Sequence, residues 1–89
     1  MNETQYQSKI IKSLESRDWY VIRLISTNKN GIPDLLALKD TSVWFIEVKG
    51  EKGTISALQR YRAKEILAKG FRHDYTFAGD DFLNCLDSK

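Results

Sequence analysis

Apolar residues recur along the chain with two different periods, and the changes of period divide it into alternating helices and strands. Near the start, the apolar residues that share one face of a predicted helix are Tyr6, Ile10, Ile11 and Leu14. Asn2 and Gln5 have capping-box spacing, so the helix is expected to begin there and to end near Ser16 or Arg17.

The segments that follow are rich in β-branched and aromatic residues and predict three strands, at Trp19–Ile25, Ile32–Leu38 and Val43–Lys49. Pro33 has no backbone N–H, which limits it to an edge or to the first residues of a strand. The polar residues 39–42 predict a hairpin turn that makes the second and third strands antiparallel neighbours. The third strand is apolar on both faces and is expected to be central in the sheet.

The second half of the chain predicts one helix between strands. Ser56 and Gln59 have capping-box spacing, and Gly70 is a suitable left-handed cap after a helix over Ser56–Lys69. Asp74–Phe77 reads as a fourth strand, parallel to the third because a helix connects them, and Asp80–Leu86 as a final helical turn or two. The order αβββα then β predicts an α/β sandwich around a small mixed sheet.

The long helix is predicted to present two different faces. Its sheet-facing residues are expected to be Gln59, Ala63, Ile66 and Leu67, whereas Arg60 and Lys64 point away. Cations are concentrated in this region: Arg60, Arg62, Lys64, Lys69 and Arg72 stand against Glu65 alone. The net charge of +2 is small, so a basic patch on this helix, or an ordinary solvated face, is what the charge pattern allows.

Composition limits the class of protein. Eighty-nine residues form one small domain, 1–89, and 42% apolar residues suffice for one core. Cys85 is the only cysteine, which excludes an internal disulfide and favours a reducing compartment. The absence of a long apolar run and of a signal-peptide pattern predicts a cytoplasmic protein that does not enter the membrane.

The residues that carry the chemistry are Asp34, Glu47 and Lys49. Glu47 and Lys49 alternate with apolar neighbours, and an unpaired charge in such a strand costs several kcal/mol, on the order of the transfer penalty for a polar group. A turn centred at residues 40 and 41 places positions 34 and 47 directly opposite each other across the hairpin. Two carboxylates about 5 Å apart repel unless they share a cation. Because Cys and His are lacking there, the cation is expected to be Mg²⁺ or Mn²⁺, with Lys49 beside a bound water or phosphate.

Taken with their surroundings, these residues resemble a known family. The segments Gly31-Ile32-Pro33-Asp34, Glu47-Val48-Lys49-Gly50 and Ile55-Ser56 with Gln59 are similar to the VRR-NUC branch of the PD-(D/E)XK nucleases, in particular to its small standalone, phage-type members. The resemblance implies a restriction-endonuclease-like αβββαβ core, with a small mixed sheet flanked by helices. It also implies metal-dependent hydrolysis of DNA phosphodiester bonds and, for a phage-encoded protein, a location in the host cytoplasm.

The resemblance further implies a role for each site residue. Asp34, Glu47, the carbonyl of Val48 and Glu3 match the metal ligands. Lys49 matches the catalytic lysine, and Gln59 matches a glutamine that faces the active site. Glu3 is also an ordinary acidic residue for the first turn of a helix, and Gln59 is also a capping residue.

Small standalone members of the family resemble Holliday junction resolvases that act as homodimers, and paired cuts in two strands require two copies of one active site. The resemblance therefore implies a homodimer on branched DNA. Its phosphate contacts are expected from a subset of Lys29, Lys52, Arg60, Arg62, Lys64 and Arg72. The alternatives are a nicking, flap or restriction-like nuclease and, in another class, an inactive nucleic-acid-binding module.

Overall fold

The computed structural model describes residues 1–86, which form three helices and one four-stranded sheet. In chain order the elements are α1 (Glu3–Glu15), β1 (Tyr20–Arg23), β2 (Leu35–Lys39), β3 (Ser42–Lys49), α2 (Ala57–Ala68), β4 (Arg72–Phe77) and α3 (Phe82–Cys85). The predicted α/β class with a small mixed sheet and flanking helices is confirmed. Among the described residues, no helix has both the length and the apolar character needed to cross a membrane.

The strands lie in the order β1-β2-β3-β4, so β3 is an interior strand as predicted. β1, β2 and β3 are antiparallel neighbours, whereas β4 pairs parallel to β3 after the α2 crossover. The expected hairpin pairing is also confirmed, because Leu35 pairs with Ile46 and Lys39 with Ser42. The positions in each pair sum to 81, the sum expected for a turn at residues 40 and 41.

One face of the sheet packs on α1 and carries the main core. Asn2 and Gln5 form the predicted capping box at the start of α1. The helix buries Tyr6, Ile10 and Leu14 against a set of buried sheet residues, which are Leu35, Ala37, Trp44, Ile46 and Val48. Because side chains alternate along a strand, the residues between these on β3 point to the opposite face.

That opposite face carries Phe45, Glu47 and Lys49, and α2 lies over its β4 side. Ser56 and Gln59 form the predicted capping box of α2, and Gly70 ends it in the left-handed region at φ +89°. Ala63 is buried there, but the prediction for Leu67 was wrong, because its side chain is 55% exposed. Leu67 lies about 40° around the helix from Ala63, beyond the strip that the narrow sheet covers.

Two strands are shorter than predicted. β1 loses both ends of the predicted Trp19–Ile25 segment, and β2 begins at Leu35 rather than at Ile32. Pro33 is buried at the point where pairing stops, since it cannot donate to the ladder. The three residues before Leu35 therefore lead into the strand without belonging to it.

Candidate active site

Asp34 stands at the entrance to β2, directly opposite the end of β3. Its backbone carbonyl accepts a hydrogen bond from the Leu24 N–H at 2.8 Å, which fixes the main chain against the end of β1. Its side-chain Oδ2 accepts the Val48 N–H at 2.9 Å. Continuing the register beyond Leu35 and Ile46 places Asp34 opposite Glu47, as the sequence predicted.

Pro33 changes the backbone hydrogen bonding at the same end of β3. In the continued register it lies opposite Val48, and a proline has no N–H to donate to the Val48 carbonyl. The carboxylate of Asp34, rather than a β2 carbonyl, accepts the Val48 N–H. The backbone hydrogen bonds between β2 and β3 therefore end at this point and are followed by one side-chain hydrogen bond. β2 supplies no backbone donor for the Val48 oxygen.

The glycine before this segment is required by the packing of α2. Gly31 has φ +79°, and a Cβ at that position would lie 2.6 Å from Cγ of Leu58. The first turn of α2 thus rests directly on the residue 31 backbone. Arg62 strengthens the same contact, because its Nε donates to the Asn30 carbonyl at 2.8 Å. α2 and the 26–31 loop are held together, with Asp34 three residues further along the chain.

Glu47 is the only buried acidic side chain among residues 1–86, at 2% exposure. Burial, together with the hydrogen bond and the negative charge of Asp34, raises the pKa of Glu47 to about 8, although Lys49 acts in the opposite direction. The carboxyl group therefore holds a proton at neutral pH when no cation replaces it. The hydrogen bond and charge of Asp34 act on Glu47 in the direction expected for a repelling pair of acidic groups.

Lys49 and Gln59 complete the surroundings of Glu47. Lys49 follows Glu47 by two residues and shares its face of β3, and its positive charge acts on the Glu47 carboxyl. Gln59 donates from Nε2 to Glu47 Oε2 at 3.2 Å, while its Oε1 accepts the Ser56 N–H at 2.9 Å. The side-chain amide of Gln59 thus caps α2 and contacts Glu47 at the same time, so it makes both of the contacts that the sequence suggested.

Glu3 lies close to the site without joining a ligand cluster. A Cβ at Gly50 would be 3.5 Å from the Glu3 backbone nitrogen, so the start of α1 meets the end of β3. The negative charge of Glu3 contributes to the raised pKa of Glu47, as the last of the causes in size. Over residues 1–86, however, no group of three or more Asp, Glu, His or Cys side chains is arranged to hold a metal ion.

The donor chemistry of the pair nevertheless fits a hard divalent cation. Asp34 and Glu47 supply carboxylate oxygens, which Mg²⁺ and Mn²⁺ prefer, and Mg²⁺ usually takes only one or two carboxylates and keeps several waters. The raised pKa of Glu47 indicates that a positive charge is favourable at this position. The Val48 carbonyl, opposite Pro33, is an additional oxygen at the same strand end.

The six predicted DNA-binding cations do not form one group. Arg60 and Lys64 are exposed on α2, and Lys52 is exposed in the loop after β3. Arg62 is bound to Asn30 and forms an ion pair with Glu65 at 2.8 Å, which gives it a structural role. The two remaining cations separate: Lys29 lies in the loop beside α2, whereas Arg72 stacks on Trp44 on the α1 face of the sheet.

Comparison with known proteins does not assign a family. No protein-family model matches the chain, and no curated protein is detectably similar to it. The chemistry of the site therefore rests on the residues themselves.

Proposed function

We propose that this chain is a Mg²⁺- or Mn²⁺-dependent DNA endonuclease that hydrolyses phosphodiester bonds in branched DNA as a homodimer, in the manner of a Holliday junction resolvase. The observation that carries this proposal is the pair of a buried Glu47 and the neighbouring Asp34, with Lys49 on the same face of β3 as Glu47. A carboxyl group whose pKa is raised to about 8 by burial and by a second acid is typical of functional sites.

Each residue of the site has a task in such a reaction. A divalent cation between the two carboxylates would supply Lewis-acid activation of the scissile phosphate and of the attacking water. Asp34 and Glu47 would hold the cation, and the Val48 N–H keeps the Asp34 carboxylate oriented. Lys49 would balance the negative charge that develops on the phosphate oxygens in the transition state. Gln59 orients Glu47 through its amide hydrogen bond.

DNA affinity would come mainly from phosphate contacts. Lys29, Lys52, Arg60 and Lys64 are the candidates on the α2 side and in its adjoining loops. The described elements include no helix that projects free of the sheet to read base edges, since α1 and α2 pack on the sheet and the short α3 packs on the core through Phe82 and Leu83. We therefore propose recognition of DNA shape at a branch rather than of a base sequence.

The homodimer is supported by an uncovered apolar surface. Tyr20 and Ile22 on β1 point to the same face as Leu36 and Leu38, their partners on β2. This surface, the β1–β2 face, is left open because α2 lies over β4, and Tyr20 is 69% and Ile22 37% exposed. A second copy placed on it would bury the Tyr20 ring and the neighbouring methyl groups and would bring two sites onto one DNA.

Purified protein incubated with labelled substrates tests the proposal. The substrates are a four-way junction, a flap, a splayed arm and linear duplex, each with Mg²⁺, Mn²⁺ or EDTA. We expect paired symmetric cuts in the junction with either metal and none in EDTA. Metal-dependent cutting confined to the other substrates would replace the resolvase proposal with a flap or nicking nuclease. Binding without cutting in any metal would reduce the chain to a nucleic-acid-binding module.

A further inference from the structure

A tight turn follows β3 and passes directly beside the side chain of its last residue, Lys49. The turn covers residues 50–53, and the Gly53 N–H donates to the Gly50 carbonyl at 3.0 Å. This hydrogen bond brings the backbone of residue 53 back alongside the end of the strand. The turn and the proposed catalytic lysine are therefore neighbours in space as well as in sequence.

The contact between the turn and Lys49 leaves no room for a side chain at residue 53. A Cβ on Gly53 would lie 3.0 Å from Cβ of Lys49 and 3.2 Å from its Cδ. Carbon atoms in favourable contact are about 3.5 to 4.0 Å apart, so a methyl group fits there only if the lysine or the turn moves. Because both distances involve the same side chain, the stem of Lys49 runs along the backbone of Gly53.

No polar group in the described part of the chain, residues 1–86, fixes the far end of Lys49. Its ammonium makes no hydrogen bond and no ion pair there, although its charge acts on the Glu47 carboxyl. Lysine has a flexible four-carbon stem that samples many rotamers when nothing confines it. Packing of the half-buried stem against the turn is therefore the contact that limits where the ammonium can lie.

We infer that Gly53 is a positioning residue for Lys49, because its lack of a side chain lets the 50–53 turn hold the lysine stem beside Glu47. The inference rests on the proposed function, in which the ammonium must meet the charge that develops on the phosphate. A displacement on the order of 1 Å in such a group can reduce the rate about a hundredfold. Gly53 contributes no side chain to the reaction and acts only through Lys49.

Gly53→Ala adds the one methyl group that this contact excludes. We expect single-turnover cleavage to slow about tenfold or more, while DNA affinity in EDTA stays unchanged. Gly50→Ala is the matched control in the same turn, because its Cβ would meet only Glu3 atoms at 3.5 Å or more, an ordinary contact. Neither glycine lies in the left-handed region, so alanine strains the backbone at neither position. Thermal unfolding checks that both variants are folded.

Lys49→Met separates positioning of the lysine from a general distortion of the turn. Methionine keeps an unbranched stem against Gly53 but carries no ammonium group. In this background, Gly53→Ala is expected to cause no further loss of the residual cleavage, because no charge remains to be displaced. A loss as large as in the original chain would mean that the methyl group damages the site by another route, and it would overturn the inference.

Carbon-13 NMR of labelled lysine in EDTA tests the positioning without any cleavage, and the Lys49 signals are assigned by their absence in Lys49→Met. We expect Cδ and Cε of Lys49 to be less mobile than those of the exposed Lys12 in the original chain and in Gly50→Ala. In Gly53→Ala they are expected to shift and to approach the mobility of Lys12.

Unchanged Lys49 signals in Gly53→Ala, or normal cleavage by that variant, would overturn the inference. If the original chain cleaves no substrate, the proposed function is refuted instead. The NMR comparison then still decides whether Gly53 positions Lys49, because it requires neither metal nor DNA.

Discussion

Glu47 shows how a single residue determines what the site can do. A fully ionised glutamate at 2% exposure beside Asp34 would be strongly unfavourable, and the protein avoids this state by retaining a proton. Gln59 and the Val48 N–H hold the two acids in position whether or not the proton is present. The Glu47 carboxyl group could therefore exchange its proton for a cation in the same geometry.

The raised pKa of Glu47 predicts how stability depends on pH without metal. In the unfolded chain a glutamate titrates near its ordinary pKa of 4.5, whereas in the folded state the pKa is about 8. The stabilising effect is complete below pH 4.5 and is lost progressively as the pH rises to about 8, because over this interval the folded state keeps a proton that the unfolded chain has released. We expect the thermal unfolding temperature in EDTA to fall between about pH 7 and pH 8 and to level off above that.

Glu47→Gln is the matched variant for this measurement, since it keeps the shape and an acceptor for Gln59 but cannot ionise. Its unfolding temperature is expected to change little over the same interval and to exceed that of the original chain at the upper end. Burial lowers the pKa of His73 below 6.5, so this residue is neutral above pH 7 and does not contribute. A parallel fall in the variant would show that another group is responsible.

Lys49→Ala is the residue-scale test of catalysis. Lys49 is proposed to act on charge that develops only in the transition state, so its loss is expected to reduce the cleavage rate at least about a hundredfold while leaving DNA affinity nearly unchanged. Competition binding and single-turnover cleavage measure the two effects separately. Lys12→Ala, an exposed lysine of α1, controls for the lost positive charge. Normal turnover in Lys49→Ala would refute the mechanism.

At the scale of elements, the local signals in the sequence were sufficient for the helices and not for the strand ends. Both capping boxes formed at the residues that the spacing indicated, because the side chain and the N–H that it accepts lie within one turn. The exposure of Leu67 was not predictable, because it depends on where the neighbouring sheet stops. The start of β2 was predicted three residues too early, although the sequence contains a signal for it: Pro33 cannot extend the backbone ladder.

The β2–β3 hairpin contains avoidable strain. Asp40 and Thr41 have φ of 47° and 66°, the left-handed conformations of a two-residue turn that favours Asn and Gly. Thr41 is β-branched and is the less suitable of the two. Thr41→Gly is expected to raise the free energy of unfolding by about 1 kcal/mol in denaturant titration. Ser42→Gly, already within β3, is expected to lower it by about 0.5 kcal/mol, and a gain there would contradict this explanation.

A polar network joins α1, β4 and the segment before α3. The buried hydroxyl groups of Tyr6 and Thr76 lie 2.5 Å apart, where either can donate to the other, and each is also placed to donate to Asp80, which accepts the N–H groups of Phe77 and Phe82. Two hydroxyl protons are shared among these three contacts. Burial, followed by the contact with Asp80, raises the pKa of Tyr6 to about 12, despite an opposing effect of Thr76. This network is the main polar contact between the first and last elements of the described chain.

Tyr6→Phe is expected to cost about 1 kcal/mol of unfolding free energy, because it removes the central hydroxyl and leaves Thr76 with Asp80 alone. Thr76→Val is expected to cost a similar amount, and the double variant less than the sum, since the two residues share one network. Tyr61→Phe, on the exposed side of α2, is the control with no expected change. Strict additivity would mean that the two hydroxyl groups contribute independently.

At the scale of the whole molecule, the sequence predicted the part of the site that one hairpin determines. The register of β2 and β3 depends on the turn between them, so the approach of Asp34 to Glu47 could be read from their positions. The distribution of the cations could not be predicted in this way, because Lys29 and Arg72 are brought to opposite faces by elements distant in sequence. Glu3 is intermediate: its helix was predicted, but its distance from the carboxylates depends on how α1 packs.

The proposed paired cuts depend on a property of the whole molecule, the proposed homodimer. Ile22→Lys would place a charge at the centre of the β1–β2 face, and desolvating it in a dimer is unfavourable, so we expect the variant to be monomeric. Sedimentation velocity of the original chain is expected to give twice the monomer mass of 10.3 kDa. The variant is expected to nick junctions without paired cuts, because each site remains intact. Ile25→Lys, beyond the end of β1, is the control that should remain dimeric. A 10.3 kDa species alone, at concentrations where the original chain resolves junctions, would mean that a monomer makes both cuts.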